Sequence, residues 1–95
     1  MKRDRKHLEA IVERIARAAT TLGLAPAAGY SWRLESGSAA NGIAWRLVWT
    51  NNETGGHYRP FGMDDFLGMT YGEAENSLYR IADVLDAVSW TIRNG

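Results

Sequence analysis

Tyr30-Ser31-Trp32-Arg33-Leu34-Glu35 and Ile43-Ala44-Trp45-Arg46-Leu47-Val48-Trp49-Thr50 are the two runs on which the fold turns. In the first, Tyr30, Trp32 and Leu34 alternate with Ser31, Arg33 and Glu35. In the second, Ile43, Trp45, Leu47 and Trp49 alternate with Ala44, Arg46, Val48 and Thr50. This is the repeat of a β-strand, which sends successive side chains to opposite faces. Tryptophans and aliphatics therefore share one side of a hairpin, and the arginines share the other. The joint Ser36-Gly37-Ser38-Ala39-Ala40-Asn41-Gly42 has the glycine and asparagine of a hairpin loop, longer than the tight two-residue kind.

Charge sets the register of this hairpin. If Trp32 faced Leu47, Arg33 would face Arg46, and like charges directly opposite are destabilising. A slide of two residues keeps every side chain on its face and sets Glu35 against Arg46. That second register is the one expected.

Outward from the hairpin, residues 4–22 read as an amphipathic helix. Leu8, Ile11, Val12, Ile15, Ala19 and Leu22 recur at steps of three and four and form one stripe. Gly23 is placed to end it, and Pro26 prevents its continuation. After the hairpin, the turn Asn51-Asn52-Glu53-Thr54-Gly55-Gly56 leads to a third short strand, His57-Tyr58-Arg59-Pro60-Phe61. Pro60 cannot donate to a ladder, so this strand belongs at an edge or stops there. Gly62 to Gly68 reads as a loop. Thr70-Tyr71-Gly72-Glu73 has the form of a capping box opening a helix over 71–92. In that helix Ala74, Leu78, Ile81, Leu85, Val88 and Ile92 form a seam of the kind that packs on another helix. The expectation is one α+β domain over residues 1–95: helix, three-stranded antiparallel sheet over 30–61, helix, with both helices on one sheet face.

Composition narrows the function. The chain has no cysteine, which excludes disulfides and thiolate chemistry. Eleven Lys and Arg balance eleven Asp and Glu, where nucleic-acid domains usually carry a basic excess. The balance is uneven along the chain, +3 over residues 1–25, +1 over 26–62 and −4 over 63–95. Either the two helices neutralise one another, or they meet between chains. No run is long enough to span a membrane, and no apolar segment follows the basic start, so residence in the cytoplasm is expected.

A catalytic constellation is not legible. His7 and His57 lie in different elements, Asp64 and Asp65 are neighbours whose side chains diverge, and no serine sits in a nucleophile elbow. The paired glycines lack the lysine and hydroxyl of a phosphate loop, and no metal-ligand spacing is present. The chain is read as non-enzymatic, with no metal and no cofactor.

Binding remains. Tyr79, Asp83, Asp86 and Trp90 lie off the seam of the last helix, and an exposed Trp and Tyr are typical anchors for a protein partner. Tyr58, on the edge strand, offers a second docking point by strand addition. The alternative is a DNA-binding module using Arg33, Arg46 and Arg59, one arginine per strand. Against it, no lysine follows Lys6. Helix, three strands and helix is also the order of the double-stranded-RNA-binding domain, but Gly72-Glu73-Ala74-Glu75-Asn76 is acidic where that family is basic.

Ala44-Trp45-Arg46-Leu47, the Gly55-Gly56-His57 turn, and Asp65-Phe66-Leu67-Gly68-Met69-Thr70 ahead of Glu73-Ala74 carry a resemblance. From Tyr30 to about Leu85 the chain resembles a loose group of small, uncharacterised proteins of mycobacteriophages and related actinobacterial phages. The resemblance brings no activity with it. It implies a phage accessory protein in the cytoplasm of a bacterial host, of a kind that binds a host protein to alter host growth or defence. The small size and the uneven charge of the chain add a second copy of itself as a further partner.

Overall fold

The computed structural model describes residues 4–39 and 42–94. The elements run α1 (Arg5–Thr21), β1 (Tyr30–Ala39), β2 (Gly42–Asn51), β3 (His57–Tyr58), a 3-10 turn (Pro60–Gly62), β4 (Phe66–Gly68) and α2 (Tyr71–Asn94). All strand pairs are antiparallel, and β2 is central.

The hairpin takes the register that charge demands. Glu35 lies opposite Arg46, Trp32 opposite Trp49 and Leu34 opposite Leu47. The strands continue well into the expected joint, since Ala39 still pairs with Gly42. The intervening Ala40 and Asn41 lie outside the described residues, as does the side chain of Ile43.

The third strand differs from expectation. It breaks after Tyr58, as Pro60 requires, turns through Pro60–Gly62, and resumes at Phe66–Gly68 along the same edge of β2. The segment read as a loop from Gly62 to Gly68 thus supplies a fourth strand. At the break, Phe61 adopts φ 58°, a left-handed conformation that a bulky residue rarely takes. Such strain costs about 1–3 kcal/mol. Against it, the half-buried Phe61 ring sits 5.6 Å from Trp32 and 5.4 Å from Trp49, edge-on to both. Each edge-to-face pair contributes about 0.5–1.5 kcal/mol beyond area burial, comparable with the strain.

Asp4, read from the sequence as the first helical residue, instead caps α1 by accepting from the Lys6 N–H at 2.9 Å. At the other end Gly23, at φ 74°, lets the Leu24 N–H reach Ala19 and its own N–H reach Thr20. At α2 the capping box closes both ways: Glu73 N–H donates to Thr70 Oγ1, and Thr70 N–H donates to Glu73 Oε1, each at 3.1 Å.

One core joins the layers. Leu8, Ile11, Val12, Ile15 and Ala19 of α1 meet Leu34, Leu47 and Leu67 of the sheet and Ala74, Leu78, Ala82 and Leu85 of α2. Trp32 and Trp45 pack against this cluster, so both helices do cover the tryptophan face. The helices run in the same direction, because Asp4 meets Tyr71, His7 meets Glu75, and Arg14 meets Asp83 and Asp86.

The seam of α2 departs from the expected one in its second half. Ala82 and Ser89 are buried there, while Val88 and Ile92 are exposed. A repeat of 3.5 residues drifts by about 20° per heptad around a straight helix. Over two heptads the drift carries Val88 and Ile92 off the core.

Candidate protein-docking surface

The drift of that seam leaves an apolar stripe along α2. Ile81 is half-buried, Val84 is 58% exposed, Val88 is exposed, and Ile92 is 68% exposed. Helical spacing of three and four sets these residues on one side of α2. Its upper part opens into a groove of about 400 Å³ between α2 and the segment leading through β4. Phe61, Met63, Phe66, Leu67, Ile81 and Val84 supply its apolar lining, and Asp64, Ser77 and Arg80 its polar members. Met63 and Phe66 are themselves exposed. Local bonds fix the segment: Asp64 accepts from the Phe66 N–H at 3.1 Å, Asp65 O accepts from Leu47 N–H at 2.9 Å, and Ser77 Oγ donates to Leu67 O at 2.7 Å.

The residues expected to form the docking face on α2 are divided by the fold. Asp83 and Asp86 both hold Arg14 of α1, whose Nη2 lies 3.1 Å from Asp83 and whose Nε lies 3.1 Å from Asp86. These carboxylates, Asp86 foremost by its hydrogen bond, raise the Arg14 guanidinium above its ordinary value, so it stays charged. Tyr79 stands 3.3 Å from His7 Nε2, and His7 also contacts Glu75 at 2.8 Å. Arg14 of the basic first element is thus neutralised within the fold by acids of the last one. Trp90 alone of the four projects clear, 62% exposed. Sequence reasoning missed Val84, Val88 and Ile92 as surface because it assigned two of them to the seam. The drift of a straight helix was the signal that identifies them.

Tyr58 is 59% exposed, with its ring edge-on to Tyr30 at 5.2 Å. Its hydrogen bond with Tyr30 raises its phenol above the ordinary value. β3 is only two residues long, which leaves little ladder for strand addition at Tyr58.

The open sheet face carries mixed charge. Arg33, Arg46 and Arg59 are exposed. Glu35 sits among them, opposite Arg46 on the neighbouring strand, 3.8 Å from Arg33 and 3.0 Å from His57 Nε2. The Glu35–His57 contact crosses over β2, where Val48 is buried. A phosphate approaching these arginines meets a carboxylate in their midst.

Among the described residues, no three His, Asp or Glu gather in a way that would hold a metal ion. Among the same residues, no helix is long and apolar enough to cross a membrane. Comparison with protein-family models, curated proteins and solved structures found no match to this chain.

Proposed function

We propose that this chain is a non-enzymatic binding protein that docks on another protein through the α2–β4 apolar surface. One observation carries the reading: a groove lined by Phe61, Met63, Phe66, Ile81 and Val84 continues into the exposed Val88 and Ile92. Contiguous exposed apolar surface of this kind marks interaction sites. Methionine and phenylalanine suit the apolar face of a partner helix, because methionine repacks around irregular shapes. Trp90 lies on the opposite side of α2, outside this surface. The resemblance to small actinobacteriophage proteins supports a bacterial host protein as the partner, and modulation of host growth or defence as the outcome.

The test is affinity capture from an actinobacterial lysate with four baits: wild type, V84S/V88S, Trp90→Ala and Arg46→Ala. A protein captured by wild type, by Arg46→Ala and by Trp90→Ala, and lost with V84S/V88S, is the expected result. Capture unaffected by V84S/V88S overturns the assignment. So does binding to random DNA duplex that falls steeply with salt, because phosphate contacts and not apolar burial would then dominate.

A further inference from the structure

β1 is ten residues long and, among the described residues, pairs with β2 alone, which leaves its other edge without a strand. The direction of its backbone groups follows from its neighbour. Leu47, opposite Leu34, donates its N–H away from β1, to Asp65 O. Leu34 therefore turns its own N–H and C=O to the free edge, and the alternation extends this to Trp32 and Ser36. A groove of about 680 Å³ runs between this edge and α1, lined among others by Arg5, Glu9, Val12, Trp32 and Leu34. Unpaired edges of this length invite another strand, and proteins usually guard them. Here the guard is Arg5. Its guanidinium donates to Leu34 O and, at 3.1 Å, to Ser36 Oγ, and lies over the Trp45 ring.

We propose that the free edge of β1 pairs antiparallel with β1 of a second copy, about a two-fold through Leu34, when Arg5 withdraws. The case for a second copy is charge. A strand antiparallel to Arg33-Leu34-Glu35 needs an acid opposite Arg33 and a base opposite Glu35. Read in its own direction, that complement is base, any residue, acid, which is Arg33-Leu34-Glu35 itself. Pairing about Leu34 sets each Arg33 against the other copy's Glu35, on the open face of a joined sheet. Leu34 meets Leu34, Trp32 meets Ser36, and roughly six main-chain hydrogen bonds close the seam. Arg5 opposes this twice, by occupying the Leu34 carbonyl and by placing a like charge from each copy near the axis.

This surface is separate from the α2–β4 groove, and the experiment keeps the two apart. Sedimentation equilibrium is run on wild type, Arg5→Ala, R5A/R33E, R5A/E35R, an equimolar mixture of the last two, and R5A/V84S, with circular dichroism to confirm that each is folded. Arg5→Ala is expected to dimerise at least tenfold more tightly than wild type. R5A/R33E is expected to be monomeric, because Glu then faces Glu across the seam. The mixture is expected to recover the dimer, since its unlike copies pair acid with base at both positions. R5A/V84S is expected to match Arg5→Ala. Cysteine provides a second readout in a chain that has none. Positions 33 and 35 of opposing copies form a non-hydrogen-bonded pair, with Cα atoms about 4.5 Å apart, within disulfide reach. Mixed R5A/R33C and R5A/E35C should cross-link to each other faster than either does to itself. Arg5→Ala no tighter than wild type, a dimer indifferent to Arg33→Glu, or one lost with Val84→Ser overturns the proposal.

Discussion

Gly68 sits where β4 hands over to α2, at φ 150°. A Cβ built there would lie 2.5 Å from the Glu73 Cβ, in the first turn of the helix. Neither partner has slack, because Glu73 is held by its bonds to the Met69 and Thr70 N–H groups. Gly68→Ala is therefore expected to lower stability by about 2 kcal/mol or more, from strain at a positive φ and from the clash. A urea titration reads this as a lower midpoint at unchanged slope. A loss under about 0.5 kcal/mol, the range of an ordinary surface change, would mean that the β4–α2 junction is looser than described. Phe61 is the other strained residue, and its two tryptophan contacts offset that strain.

At the scale of elements, the hairpin, its register and the capping residues Gly23, Thr70 and Glu73 were legible, while Asp4 read as helix and not as its cap. Each rests on local chemistry: alternation, the Glu35–Arg46 opposition, a threonine with a glutamate three residues on, and a glycine after a helix. β4 was not legible, because three residues show too little alternation, and its pairing with β2 depends on the detour through Pro60–Gly62. The flank of α2 that meets α1 was not legible either. Nothing local tells a parallel helix pair from an antiparallel one, so Asp83 and Asp86 read as free until Arg14 is seen between them. The division of α2 into buried and exposed apolar residues has a direct consequence for stability. Leu78→Ala removes a fully buried side chain and is expected to cost about 2–5 kcal/mol. V84S/V88S removes exposed side chains and is expected to cost under about 1 kcal/mol, as surface changes do. Thermal or urea unfolding of both variants checks the contrast. A comparable loss in the two would make the Val84–Val88 stripe part of the core and unavailable for docking.

For the molecule as a whole, part of the charge asymmetry of the sequence is met internally, Arg14 of α1 against Asp83 and Asp86 of α2. What faces outward unevenly is apolar surface, gathered on the α2–β4 side, while the opposite sheet face carries Arg33, Arg46 and Arg59 around Glu35. The first side is suited to burial against a protein and the second to water. Site-specific photo-cross-linking in actinobacterial cells tests this most directly, with a photoreactive residue placed in turn at Val88, at Val84 and at Arg46. The account predicts a discrete protein adduct from Val88 and Val84 and none from Arg46. Adducts from Arg46 alone, or an equal yield from both sides, would contradict it.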